Sequence, residues 1–195
     1  VIEQDLLWYP GPIGPARSIV AHNCPCDGAE PGLEQSFFEP VRPIVERALA
    51  EDDRASWPVL ILHLDLKTEE PEHLAAIAAL LERYDGWLTS APRTATPLTV
   101  EPLDVRPVLA LVEATPAREA AFHDSLPVGA KLRIFGSLPP SAVPQTPATA
   151  ASELVAAGPT NYRRWWNLSW AAVEEGGPSK AGDWTPEDRA RLDEI

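Results

Sequence analysis

Leu60-Ile61-Leu62-His63-Leu64-Asp65-Leu66-Lys67 is the stretch whose reading decides the fold. It is entered through Trp57-Pro58 and followed at once by Thr68-Glu69-Glu70-Pro71. A short apolar run between turn signals reads as a strand buried on both faces, as in a parallel sheet. Yet an imidazole, a carboxylate and an ammonium stand at alternate positions. Because strand side chains alternate between faces, His63, Asp65 and Lys67 leave the strand on the same side. Burying an unpaired charge is costly, so these groups need partners, a metal or a ligand. An Asp65–Lys67 ion pair inside a barrel core would satisfy them. So would a site at the strand's C-terminal end, where parallel α/β folds place their chemistry.

Outward from this strand, apolar runs and helical patterns alternate. Val1 to Tyr9 reads as a strand with Glu3 and Asp5 on one face, broken by the Pro/Gly-rich residues Pro10 to Pro15. Ser18 to Asn23 is a second short strand ending on His22, and Phe37 to Leu49 carries helical spacing despite Pro40 and Pro43. Glu70 to Tyr84 is a helix with Leu74, Ile77, Ala78, Leu81 and Tyr84 as its inner stripe. A strand at Val108 to Val112, a helix from Pro116 to Asp124 and a strand from Lys131 to Phe135 closed by Gly136 follow. Leu138 to Gly158 is a surface excursion with a helical hint at Glu153 to Ala157, and Tyr162 to Trp170 is an aromatic strand. Thr185 and Asp188 have capping-box spacing at the start of a last helix.

This alternation predicts βα units and a parallel sheet. About six strands are legible where a closed (β/α)8 barrel has eight. Val1 opens in mid-strand, methionine is absent, and the last helix stops early. The expectation is one TIM-type barrel domain over residues 1–195, a fragment lacking the first and last strand units.

A formal net charge of −13 argues against a nucleic-acid partner, since phosphate binding is built from surplus Lys and Arg. An anionic substrate would need a local positive charge to offset that field. No apolar run reaches the ~18 residues of a membrane-spanning helix. Cys24 and Cys26 flank Pro25. A disulfide across so short a gap is expected to be strained, and a zinc clip lacks a second ligand cluster. Two loop thiols, or pairing with a cysteine outside this segment, is the expectation.

Glu3, Asp5 and Asp65 are expected at successive strand ends. Three carboxylates make a hard-oxygen site suited to Mg2+ or Ca2+. His22 is placed for proton transfer near neutral pH, and Lys67 would reach the same phosphate oxygens. His63 is expected inside the barrel, orienting Asp65 at most. His73 and His123 are expected on helix surfaces.

At these residues the sequence resembles the barrel phosphodiesterases related to glycerophosphodiester phosphodiesterase, phosphatidylinositol-specific phospholipase C and sphingomyelinase D. Glu3-x-Asp5 looks like that superfamily's second-strand metal pair. His22 in Val20-Ala21-His22-Asn23 looks like its catalytic histidine, and Asp65-x-Lys67 like its fourth-strand metal carboxylate and lysine. Trp166 and Asn167 are similar to the aromatic strand that walls its substrate pocket. The resemblance implies a metal-dependent phosphoric diester hydrolase with lipid-metabolic substrates, either glycerophosphodiesters or phospholipid head groups. It implies metal ligands Glu3, Asp5 and Asp65, catalytic His22 and Lys67, substrate contacts at Trp166 and Asn167, and an extracellular or cell-envelope location. A second histidine, on the first strand, would lie upstream of Val1. The chain alone is therefore expected to show no appreciable turnover.

Two other readings stand beside this one. Asn23, where many relatives carry Asp, and the unusual cysteines fit a barrel kept as a non-catalytic binding or structural module. A glycosidase barrel with two carboxylates as acid and base is the third, with Trp165, Trp166 and Trp170 available for sugar stacking.

Overall fold

Leu62, Leu64 and Leu66 are buried, while Ile61, His63 and Asp65 between them are half-buried. The central strand therefore has one dry face and one polar face. The second face escapes full burial because it carries the charged groups. The computed structural model describes residues 1–11, 14–139, 142–155, 157–177 and 182–195. Pro12 and Ile13 of the first loop, two residues of the 138–158 excursion and Ala156 of its helical hint lie outside the described residues.

The strands are β1 (Ile2–Tyr9), β2 (Arg17–Val20), β3 (Leu60–Leu66), β4 (Ala91–Pro92), β5 (Val108–Val112), β6 (Lys131–Leu132), β7 (Phe135–Ser137) and β8 (Arg163–Trp165). Among the described residues they form a six-stranded sheet in the order β2-β1-β3-β5-β7-β8 and a small β4–β6 pair. Every pairing in the large sheet is parallel except β1 with β2. That exception departs from the all-parallel expectation. A loop of only seven residues joins β1 to β2, too few for the crossover a parallel neighbour requires. The later connections are long enough and carry the helices α1 (Glu39–Glu51, entered by a π-helical turn at Glu34–Phe38), α2 (Pro71–Arg83), α3 (Pro116–Glu119, continued by a π-helical turn at Ala120–Asp124) and α4 (Ala151–Leu154). A last helix, α5 (Pro186–Glu194), carries the capping box of Thr185 and Asp188.

The leucine face of β3 meets Phe37, Phe38, Val41 and Val45 from the α1 region and Leu74, Ile77 and Leu81 from α2. Burying each such side chain stabilises the fold by roughly 1.5–3 kcal/mol relative to exposure. His73 is packed with this stripe and fully buried, not on the surface, and His123 is buried as well. Ala78, expected in the stripe, is exposed.

The expected strand from Lys131 to Phe135 is split. Lys131 and Leu132 pair with β4, and the large sheet is rejoined at Phe135. Gly136 lies inside β7 instead of closing it, because a Cβ there would meet the buried Tyr162 ring at 2.5 Å. The aromatic strand is shorter than expected, so Trp166 and Asn167 lie past its end. The two cysteines are joined as a Cys24–Cys26 disulfide, correcting the expectation of free thiols. No helix among the described residues is long and apolar enough to cross a membrane.

Candidate metal centre

The register of β1 on β3 sets Glu3 beside His63 and Asp5 beside Asp65. Paired residues of adjacent strands project to the same face, so all four side chains share the sheet's polar face. Asp65 is one residue from the C-terminal end of β3. Glu3 is one residue from the N-terminal end of β1 and Asp5 lies in its body, neither at its C-terminal end, because β1 overshoots β3 and continues as the hairpin with β2. One carboxylate oxygen from each of Glu3, Asp5 and Asp65 lies within 4.8 Å of the others.

The hairpin explains His22. Antiparallel pairing carries β2 back along β1, and the Ala21 amide donates to the Asp5 carbonyl at 3.0 Å. His22, two residues past the end of β2, thus reaches Asp5, with Nδ1 at 3.3 Å from Oδ2. Its ring is 70% exposed, so this contact leaves it open to solvent.

Lys67 follows β3 directly, and its amide donates to the Leu6 carbonyl at 2.8 Å, continuing the ladder. Its ammonium lies 2.8 Å from Asp5 Oδ1 and 2.5 Å from Asp65 Oδ2. Hydrogen bonding to Lys67 holds the Asp5 carboxyl below its ordinary range, against the opposing effect of partial burial, with His22 adding to the shift. Asp5 and then Asp65 push the Lys67 ammonium up in return. His63 does not orient Asp65. Its Nδ1 lies 3.1 Å from Glu3 Oε2, and its ring stands edge-on to Trp165 at 5.3 Å between centroids.

Of the sequence-predicted residues, the fold brings Glu3, Asp5, Asp65, Lys67 and His22 together. It leaves the other two aside. Asn167 donates through Nδ2 to Glu113 Oε1 at 2.5 Å, and Trp166 is exposed. The aromatic residue that reaches the constellation is Trp165, through His63.

Arg118 has a structural role that its sequence position does not suggest. Buried at the start of α3, it donates to the Leu66 and Glu113 carbonyls at 2.7 and 3.0 Å, binding together the ends of β3 and β5. The Thr115 cap preceding it was its one local signal.

The donor set fits a hard divalent cation. Three carboxylates and one ammonium leave two negative charges, and oxygens up to 4.8 Å apart can share an ion at Ca–O bonds of ~2.3–2.6 Å. No family model matches this chain, and comparison with curated proteins and with solved structures returned no match.

Proposed function

We propose that the chain belongs to a metal-dependent phosphodiesterase built on a (β/α)8 barrel, acting on glycerophosphodiesters or phospholipid head groups. The observation that carries the reading is the convergence of Glu3, Asp5 and Asp65, with Lys67 bridging two of them and His22 at the third side. A predominantly parallel sheet with helices against its leucine face supports the barrel. The Cys24–Cys26 disulfide supports an extracellular or cell-envelope location, where such bonds persist.

In this reading Glu3, Asp5 and Asp65 hold Mg2+ or Ca2+, which supplies charge neutralisation to a bound phosphate. Lys67 places a fixed ammonium beside the same oxygens. Its charge is secure at neutral pH because both aspartates favour it. His22 is exposed to an incoming substrate and tethered on one nitrogen by Asp5, the arrangement a proton donor to a leaving oxygen requires.

Calorimetric titration of Mg2+ and Ca2+ into the protein tests the metal. Binding that is lost in both Glu3→Ala and Asp65→Ala supports the reading, and unchanged binding in both ends it. Turnover of glycerophosphodiesters by the full-length protein, lost in the same variants, tests the reaction.

A second reading is favoured by one observation. Lys67 already supplies a counter-charge to Asp5 and Asp65, as an internal ion pair in a binding or structural module would. Absence of metal binding in the same titration selects it. In a glycosidase reading Asp5 would not be the acid catalyst, which needs a raised carboxyl pKa, because Asp5 is shifted the other way.

A further inference from the structure

The loop after β2 is anchored at two places. At its start, Ala21 donates to the Asp5 carbonyl, and His22 reaches the Asp5 carboxylate. Further along, the Arg17 guanidinium donates to the carbonyls of Gly28 and Glu30 at 2.5 and 2.6 Å, and the Glu30 carboxylate accepts from the amides of Asp27 and Gly28. Between these anchors the Cys24–Cys26 disulfide supplies a covalent restraint, and the chain has no other cysteine. Cys24 is exposed and Cys26 partly so. A ring closed over so few residues restrains the unfolded chain less than a long loop does, so its loss should spare the global fold. Exposed disulfides are the ones that external thiols reach.

We propose that Cys24–Cys26 is a thiol-exchange site that governs His22: an external dithiol opens the bond in the folded protein, and opening it releases the His22 imidazole from Asp5. The thiolate of the dithiol attacks Cys24 Sγ, the Sγ–Sγ bond breaks, and Cys26 leaves as a thiolate that takes a proton. The dithiol's second thiolate then attacks its own sulfur in the mixed disulfide, freeing Cys24 as a thiolate that is protonated in turn. Two electrons pass to the protein and the dithiol ends as a cyclic disulfide. With the ring open, residues 22–26 span their two anchors as free chain. His22 then keeps the Ala21 anchor on its N-terminal side but loses the covalent restraint on its C-terminal side. Control of turnover by this route rests on the phosphodiesterase reading, whereas the exchange chemistry and the movement of His22 do not.

The test treats the protein with dithiothreitol under folding conditions, alkylates it, and follows the His22 ring by NMR. The expected result is two alkyl groups gained with the far-UV circular dichroism unchanged. The His22 ring resonances should shift to the positions they take in Asp5→Asn and return on reoxidation. The Cys24→Ser/Cys26→Ser variant should show the same shift with no reductant present. A disulfide that resists until the fold melts overturns the proposal, as do His22 signals unmoved after double alkylation or in the double variant. Diester turnover measured alongside separates the two ideas. Turnover absent in the full-length protein before reduction sinks the phosphodiesterase reading and leaves the NMR outcome standing.

Discussion

Asp5 and Asp65 stand side by side at one register position of adjacent parallel strands, and the Lys67 ammonium closes on both, at 2.8 and 2.5 Å. Like charges opposite one another across a ladder destabilise it. The lysine sets a positive charge between the two carboxylates, and it does so from the strand that carries one of them.

Replacing that lysine gives a two-sided pH prediction. Asp5 is depressed below its ordinary 3.8, so its stabilising contribution is complete above that value and is lost as pH falls through the lower folded-state value. Lys67 is raised above its ordinary 10.5, so its contribution is complete below that value and is lost as pH rises through the higher one. Lys67→Met should therefore lower the thermal midpoint between about pH 4 and pH 10, with the deficit shrinking at both extremes. The Asp5 carboxyl titration, followed by 13C NMR, should move upward. An Asp5 titration unmoved in the variant contradicts the assignment.

His63 holds Glu3 and touches neither aspartate in any contact described above. If Glu3 ligates a cation, His63→Ala should weaken Ca2+ binding by about 10–100-fold, the usual cost of losing a group that orients a ligand. Calorimetry on the variant checks this, and wild-type affinity would show that Glu3 needs no such support.

His73 is fully buried between Ser18 Oγ, at 3.0 Å from Nε2, and Thr68 Oγ1, at 2.8 Å from Nδ1. Burial pushes its pKa below the ordinary 6.5, so the unfolded chain binds the proton more readily. Stability should begin to fall as pH drops below 6.5 and level off once the depressed folded-state value is passed. His73→Ala should remove that slope and cost about 2–4 kcal/mol, since it leaves a cavity and two hydroxyls without this partner. Denaturant melts across the acid range measure both.

Gly136 occupies a position where a Cβ would lie 2.5 Å from the Tyr162 ring and 2.9 Å from the Ala114 Cβ. Tyr162 is fully buried. Gly136→Ala should destabilise the protein by about 1–3 kcal/mol through overpacking. A urea midpoint equal to wild type would mean the β7–β8 region yields more readily than its packing implies.

The constellation was legible because it is written in strand periodicity. Once Glu3, Asp5, His63 and Asp65 fall on paired strands, the alternation of side chains places them on one face, and only the register was left to the fold. What escaped the sequence depends on contacts distant along the chain. His73 reads as an ordinary helical residue until Ser18, 55 positions earlier, is brought to its ring. Lys131 and Leu132 look continuous with Phe135, and only their pairing with Ala91 and Pro92 divides them. The antiparallel return of β2, by contrast, could have been read from the short Pro/Gly loop before it. The disulfide closes over a gap that spacing alone argued against.

The borders of the large sheet are its short strands. β2 has four residues and β8 three, while β1 and β3 in the interior have eight and seven. On the outer side of β2 the Val20 amide is already taken by the Pro31 carbonyl, at 2.8 Å. A foreign strand seeking to extend the sheet at β2 would find that donor occupied, and short or covered edges are how β proteins keep from joining edge to edge. The hairpin that brings His22 to Asp5 thus ends in an edge whose Val20 amide is already occupied.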